Sequence, residues 1–259
     1  MTRRLTVLAL ALVLALSLTG CWEAEPEPDD FWGDELPPEE QETSQREPAQ
    51  ISDFTLPYLS GQTFDPVTCI DGVQQTVGAL LYEPLFTLDA SFTPQPVLCE
   101  RSSCDVETLT WTFALRSAVF SDGTALTAND LLAAYRRAAE SARYGARFAN
   151  VASMKAQDAH TLIVTLTQAN GSFPALLDIP IVKASQVADE HPLGTGPYEF
   201  HAGEDGADLT RVANWWCGDT QLSTRAKTIQ VIEATSQTQL RDEFEFGDRQ
   251  TRESLNKLL

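Results

Sequence analysis

Alternation of polar and apolar residues predicts the clearest strand of the chain. The segment Glu107–Leu115 has an apolar residue at every second position from Leu109 onward. A period of two puts those side chains on one face of an extended strand, so one face is expected to be buried. Similar runs predict further strands, two of them as a hairpin, at Asp53–Tyr58, Leu85–Leu88, Val151–Ala156, Thr161–Leu166, Tyr198–Ala202, Ala207–Val212 and Thr228–Glu233.

Apolar residues spaced by three or four positions predict the helices. Cys69–Tyr82 and Ala128–Ala142 show this spacing, and a last helix is predicted to begin near Ser236. Thr127 is the expected N-cap of the second helix, with Asp130 three residues later in a capping-box arrangement. Strands and helices are intermixed without a regular βαβ order, so the predicted fold class is mixed α/β, or α+β.

A glycine-rich turn precedes the last group of strands. Gly194, Thr195, Gly196 and Pro197 combine two permissive residues with a proline that fixes the next φ angle. A nucleotide-binding loop is not indicated, because neither a third glycine nor a Lys-Ser/Thr pair follows. We interpret the turn as a crossing point, where the chain leaves one subdomain and re-enters another.

The N-terminus has the pattern of a secretory signal. Two arginines precede an apolar run, Leu5–Leu18, which is short for a membrane span and suits the core of a signal peptide. The run ends in Leu18-Thr19-Gly20-Cys21, which resembles the bacterial lipobox. Residues 1–20 are therefore predicted to be a signal peptide and Cys21 to carry the lipid. Two alternatives stay open: a soluble secreted chain, or an uncleaved anchor, with Cys21 incidental.

Residues 21–50 are acidic and rich in proline. They contain eleven acidic residues, five prolines and a single base, Arg46. Such a segment cannot bury enough apolar surface to offset its ordering entropy, and its charges repel one another. The segment is predicted to be a disordered tether. The alternative is a docking motif built on Phe31 and Trp32.

Acidic residues outnumber basic ones over the whole chain. The 37 acidic and 18 basic residues give a net charge of −19. A surface of that sign repels nucleic acid and anionic membranes, and no basic stripe offsets it. Nucleic acid is therefore excluded as an expected partner.

Four cysteines follow the predicted lipid site, in a compartment where disulfides persist. Cys99 and Cys104 bracket four polar residues and are predicted to close a small loop, which leaves Cys69 and Cys217 as a long-range pair. Zinc is the competing interpretation, but the spacings match no zinc finger and the three histidines are scattered. Disulfides are therefore favoured, and neither a metal nor a cofactor is predicted.

Six short segments, taken in order, resemble one protein family. They are Leu81–Leu85, Trp111–Arg116, Val119–Asp130, Gly194–Tyr198, Asn214–Trp216 and Phe244–Asp248. Each segment alone is weak evidence, but their order and gaps are similar to family 5 of the extracytoplasmic solute-binding proteins. That group serves oligopeptide, dipeptide and nickel ABC importers. The resemblance covers about Ser52 to Asp248.

The resemblance implies a periplasmic-binding-protein-like architecture. In that family a smaller subdomain interrupts a first lobe, a second large lobe follows, and solute is enclosed between the lobes by hinge closure. Residues 51–82 and 194–248 would form the first lobe, with the inserted subdomain at 83–193. The second lobe is expected to be missing, because residues 249–259 form a basic-leaning tail where it should begin. We therefore expect a truncated form or a fragment of a longer protein.

The resemblance also implies a function. The chain would be an extracytoplasmic receptor, held to the bacterial cell membrane by its lipid, that hands a peptide or a similar small solute to an ABC permease. Residues 194–197 would form the hinge or crossing. The candidates for facing the ligand cleft are Tyr58, Asp178, Ile179, Pro180, Ile181, Trp215 and Trp216.

Two other functions are weighed against this one. A surface lipoprotein that retains one lobe and transports nothing is the first alternative. An envelope hydrolase is the second, but the chain has no Gly-x-Ser-x-Gly motif, and its acidic pair Asp29-Asp30 lies in the tether. We therefore predict that the protein is not an enzyme.

Overall fold

The structure is a computed structural model that describes residues 55–203, 206–218 and 226–246, with side chains described up to residue 241. The predicted signal peptide, tether and tail lie outside these residues. Within the described ranges, no helix has both the length and the apolar character needed to cross a bilayer.

Ten strands and three α-helices are found within the described residues. The helices are α1 (Gly72–Leu81), α2 (Ala128–Glu140) and α3 (Gln237–Phe246). The strands are β1 (Thr55–Leu59), β2 (Phe86–Leu88), β3 (Pro94–Pro96), β4 (Cys99–Asp105), β5 (Thr110–Leu115), β6 (Val151–Asp158), β7 (Thr161–Leu166), β8 (Tyr198–Gly203), β9 (Gly206–Arg211) and β10 (Thr228–Ala234).

The first sheet has the strand order β1-β10-β9-β8 and joins the two ends of the described chain. Strand β1 runs parallel to β10, with Leu56 opposite Val231, while β8, β9 and β10 are antiparallel. Helix α1 packs on this sheet and contributes Val77 and Leu81 to its core, where Leu209 and Ile229 are fully buried. A parallel pair needs a long connection between its strands, and here that connection contains the second sheet.

The second sheet has the order β4-β5-β7-β6 and is entirely antiparallel. Strand β5 buries Trp111, Phe113 and Leu115 on one face, which confirms the alternation predicted from the sequence. Helix α2 packs against this sheet and contributes Leu131 and Tyr135, both with no exposed surface, to a separate core. The predicted mixed α/β fold class is therefore confirmed. Besides these two four-stranded sheets, each with its own core, β2 and β3 form a two-stranded antiparallel sheet.

Helix α1 begins later than its apolar spacing predicts. The Asp71 carboxylate accepts hydrogen bonds from the backbone N–H groups of Val73 and Gln74, at 2.8 and 3.3 Å, and so caps the helix. An N-cap residue has an extended backbone, and residues 69–71 therefore lie outside the helix. The predicted cap of α2 is confirmed, because Asp130 Oδ2 accepts from the Thr127 N–H at 2.9 Å.

The predicted disulfides are absent from the described residues. Cys69, Cys99, Cys104 and Cys217 are all free thiols. The Cys99–Cys104 loop is wrong because both residues lie on β4, paired with opposite ends of β5. Five steps along a strand separate two Cα atoms by roughly 16 Å, far beyond the reach of a disulfide. The other predicted disulfide joined Cys69 to Cys217. The Cys69 thiol instead donates a hydrogen bond to the Asp71 carbonyl oxygen at 3.6 Å.

Candidate functional site

The glycine-rich turn packs directly on the end of α1, where the chain passes between the two cores. The Gly196 N–H donates to the Leu81 carbonyl oxygen at 2.9 Å, and the Gly194 carbonyl oxygen accepts from the Ser121 N–H at 3.0 Å. A Cβ atom on Gly196 would lie 2.5 Å from the Leu80 carbonyl oxygen, and one on Gly194 would overlap the carbonyl of Leu81. The glycines are therefore required by close approach of two backbones.

A half-buried carboxylate, that of Glu83, lies at this crossing. Its Oε2 atom accepts hydrogen bonds from Thr195 Oγ1 and Trp216 Nε1, both at 2.8 Å. The Thr195 carbonyl oxygen accepts from Trp215 Nε1 at 2.9 Å and from Trp216 Nε1 at 3.1 Å. We call Glu83, Thr195, Trp215 and Trp216 the crossing cluster. It ties the segment that leaves the first sheet to the segments that return to it.

The environment of Glu83 favours its neutral form. Burial raises the pKa of Glu83 to about 7, although the hydrogen bonds from Thr195 and Trp216 act in the opposite direction. Loss of water around a carboxylate penalises the charged form more than two hydrogen bonds compensate for it. Glu83 therefore changes its charge near neutral pH. It lies where the half of the fold built on the first sheet meets the half built on the second sheet.

A pocket of about 210 Å³ lies beside the crossing, between α1 and the turn that follows α2. Arg143 and Arg147 each place the guanidinium carbon 4.9 Å from the centre of the Tyr144 ring. Arg147 forms an ion pair with Asp178, and Arg143 donates to the Cys69 carbonyl oxygen at 2.8 Å. We call this cavity the arginine pocket.

The structure distributes the predicted cleft residues over different places. Asp178 and Pro180 line the arginine pocket, whereas Ile179 and Ile181 are fully buried in the second core. Tyr58 is only 6% exposed and packs against two phenylalanine rings in the first core. Tyr58, Ile179 and Ile181 therefore face the interior and not a cleft, because their strand or loop turns them toward the apolar cores.

The two tryptophans form part of the crossing cluster. Trp215 is 8% exposed and Trp216 is half-buried, and both indole N–H groups bind the Thr195 carbonyl oxygen. These hydrogen bonds hold both indole rings against the Gly194–Pro197 segment. Of the seven predicted cleft residues, Asp178 and Pro180 are thus brought together in one pocket, and Trp215 and Trp216 in the adjoining cluster.

Sequence reasoning missed Glu83 and Arg143 as site residues. Glu83 is an acidic residue inside an apolar segment, Leu81–Phe86, directly before a proline, and that isolation was the available signal. Arg143 follows the end of α2 and has no comparable signal, because its position depends on the packing of α1. Within the described ranges, no three His, Cys, Asp or Glu side chains cluster in a way that could hold a metal ion.

Comparison with known proteins shows which family this sequence resembles. Residues 93–248 match the family described as "Bacterial extracellular solute-binding proteins, family 5 Middle". The glutathione-binding protein GsiB of Escherichia coli O1:K1 is 31% identical over 169 residues, which is 60% of this chain and 33% of that protein. A probable peptide ABC transporter periplasmic-binding protein, y4tO of Sinorhizobium fredii, is 30% identical over 149 residues, which is 53% of this chain and 28% of that protein.

Solved structures of binding proteins have a fold similar to that of this chain. The oligopeptide-binding protein AppA from Bacillus subtilis, in complex with a nonapeptide, has a TM-score of 0.59 at 18% identity. The match covers 76% of this chain and 42% of AppA. The chain thus spans about a third of the length of the curated relatives, and about two fifths of the solved structure.

Proposed function

The chain belongs to the family 5 bacterial extracellular solute-binding proteins, and from that premise we propose that it is the lipid-anchored, peptide-binding component of an ABC importer. Proteins of this family are extracytoplasmic receptors that bind a solute and are not enzymes. The observation that carries the proposal is the family match over residues 93–248, on a fold shared with solved binding proteins.

A peptide is the solute class that the relatives favour. One is named for glutathione, which is a tripeptide, another for peptides, and the solved AppA structure holds a nonapeptide. Peptide recognition in this chain would be noncovalent, with apolar walls and a few placed polar groups.

The crossing cluster is proposed to support the hinge of the receptor. Gly194 and Gly196 press the returning segment against α1, while Glu83, on the leaving segment, binds that returning segment through Thr195 and also accepts from Trp216. Hinges are short stretches that absorb backbone rotation between packed bodies. The hydrogen bonds of Glu83 would set where that rotation is allowed.

The lipid anchor is proposed on Cys21. The supporting pattern is the apolar run that ends in Leu18-Thr19-Gly20-Cys21, followed by the acidic tether. Each buried CH₂ of an acyl chain contributes about 0.8 kcal/mol to membrane binding. The tether would hold the receptor close to its permease while keeping it free to collect solute.

Uptake and labelling in the bacterium that encodes the chain test this proposal. Deletion of the gene is expected to lower uptake of a radiolabelled tripeptide, and the parent gene should restore it. The Cys21→Ser variant should lose incorporation of radiolabelled palmitate, leave the membrane fraction and fail to restore uptake. Unchanged uptake in the deletion strain would contradict the importer role, and palmitate labelling of Cys21→Ser would contradict the anchor.

A further inference from the structure

The arginine pocket shares no lining residue with the adjoining crossing cluster, and both cores contribute to its walls. Gly78 and Tyr82 come from the end of the first core, while Arg143, Tyr144 and Pro180 come from the second half. Its volume of about 210 Å³ is below the range of about 300–1,000 Å³ that is usual for drug-sized ligands. A ligand for this cavity must therefore be compact.

Among the charged side chains that line the pocket, the exposed Arg143 has no acidic partner. Arg147 is paired with the carboxylate of Asp178. Arg143 binds only neutral oxygens, the carbonyl of Cys69 at 2.8 Å and the side-chain amide of Gln75 at 2.9 Å. No carboxylate of the described residues forms an ion pair with Arg143. In a chain with a net charge of −19, an arginine without an acidic partner beside a cavity favours an anion.

The remaining walls of the pocket are largely apolar. Phe64, Pro66, Tyr82 and Pro180 line it, and Tyr144 presents a ring fixed by the two guanidinium groups. An arginine guanidinium carries five N–H donors, of which Arg143 uses two on neutral partners, so donors remain for a carboxylate. We propose that the arginine pocket binds a small monocarboxylate, with its charge on Arg143 and its apolar body against these rings.

Two probes of the same shape and different charge test the proposal on the full chain. Benzoate is expected to bind with one-to-one stoichiometry in isothermal titration calorimetry and to raise the midpoint of thermal unfolding, because it binds only the folded state. Benzamide is neutral and should bind at least about tenfold more weakly, because a charge-assisted hydrogen bond is lost. Equal affinity for the two probes, or binding of neither, would overturn the proposal.

A pair of arginine variants locates the site. Arg143→Gln removes the proposed charge and should weaken benzoate at least about tenfold. Arg101→Gln removes an exposed arginine on the edge strand β4 and should leave the affinity unchanged. Equal loss of affinity in both variants would show a general charge effect and contradict a specific site at Arg143. Normal binding of benzoate by the Arg143→Gln protein would also contradict the proposal.

Cys69 supplies a second readout that needs no arginine variant. This buried thiol lines the pocket, whereas Cys104 is exposed on β4. Benzoate should slow modification of Cys69 by a small maleimide, read by peptide mass spectrometry, and leave Cys104 unaffected. Benzamide should protect neither thiol. Because this proposal concerns a small monocarboxylate and not a peptide, absence of protection would reject it and leave the peptide-receptor proposal standing.

Discussion

Glu83 illustrates how the surroundings of one residue couple charge to folding. The carboxyl has an ordinary pKa of 4.5, and burial raises it to about 7 in the folded chain. Below pH 4.5 the group is protonated in both the folded and the unfolded state, and its contribution to stability is fully present. As the pH rises through 7, the folded state must bury a charge, and that contribution is lost. The difference is on the order of 3 kcal/mol.

The Glu83→Gln variant tests this coupling. Glutamine keeps the shape and an acceptor oxygen for Thr195 and Trp216 but cannot ionise. The parent is expected to lose about 2–3 kcal/mol more unfolding free energy than the variant between pH 5 and pH 8. Urea unfolding, followed by tryptophan fluorescence at both pH values, measures the free energy of unfolding of each protein. The contributions of all other titrating groups cancel when the two proteins are compared. The same pH slope in both proteins would show that Glu83 does not ionise in this window.

The glycines of the crossing are expected to be intolerant of any side chain. Gly194→Ala or Gly196→Ala would force a Cβ atom into the backbone of Leu80 and Leu81, which should cost about 3 kcal/mol or more. Gly171→Ala is the matched control, because a Cβ atom there meets nothing within 4 Å. The control should change the free energy of unfolding by less than about 0.5 kcal/mol. A mild effect at both crossing glycines would remove the close-approach explanation.

At the residue scale, the sequence predicts local conformation better than local environment. The capping box of Thr127 and Asp130 follows from residues three apart in sequence, so it was predictable. Gly194 and Gly196 were predicted as turn residues, but neither has a positive φ, and close approach to α1 is what requires them. The raised pKa of Glu83 and the position of Arg143 depend on segments more than 60 residues away in sequence. Tyr58 and Ile179 were candidates as exposed ligand contacts, but composition alone cannot distinguish an apolar residue of a cleft from one of a core.

At the scale of elements, periodicity was a good guide wherever one face is buried. Strand β5 alternates as predicted because its inner face packs on a core, and α2 begins at its predicted cap. Strand β4 was missed because six of its seven residues are exposed and polar, so it carries no apolar alternation. Its pairing with β5, and not its own side chains, makes it a strand.

An ion pair between Asp65 and Arg137 joins the segment after β1 to helix α2. Asp65 follows β1 and is 2% exposed, and both of its carboxylate oxygens accept from Arg137 on α2. Asp65 also accepts from the Val67 N–H at 3.3 Å and from Thr68 Oγ1 at 2.8 Å. When one partner of such a buried, paired carboxylate is removed, the free energy of unfolding falls by several kcal/mol.

The Asp65→Asn variant is therefore expected to lose about 3 kcal/mol of unfolding free energy. Asp122→Asn is the control, because the two side chains of its ion pair with Lys183 are 32% and 21% exposed and the pair should be worth less than about 1 kcal/mol. Urea unfolding of both variants at neutral pH makes the comparison. If the two variants lost equal stability, the Asp65–Arg137 pair would not be a special link between the halves.

At the scale of the whole molecule, the architecture follows from one long-range pairing. Strand β1 lies parallel to β10, so the described chain closes on itself and carries the second sheet in the connection. Periodicity predicted both strands but could not predict that they pair, because a pattern of apolar residues does not specify a partner strand. The resemblance to a family placed residues 51–82 and 194–248 in one lobe but did not specify that these two strands pair.

The most direct test of the receptor role is equilibrium binding of peptides to the purified chain. Isothermal titration calorimetry with reduced glutathione, and with tripeptides to nonapeptides, is compared with an equimolar mixture of the free amino acids. We expect saturable one-to-one binding of at least one peptide and none of the free amino acids at the same concentration. Heats that do not exceed the amino-acid control for any peptide would contradict the claim that this chain is a peptide receptor.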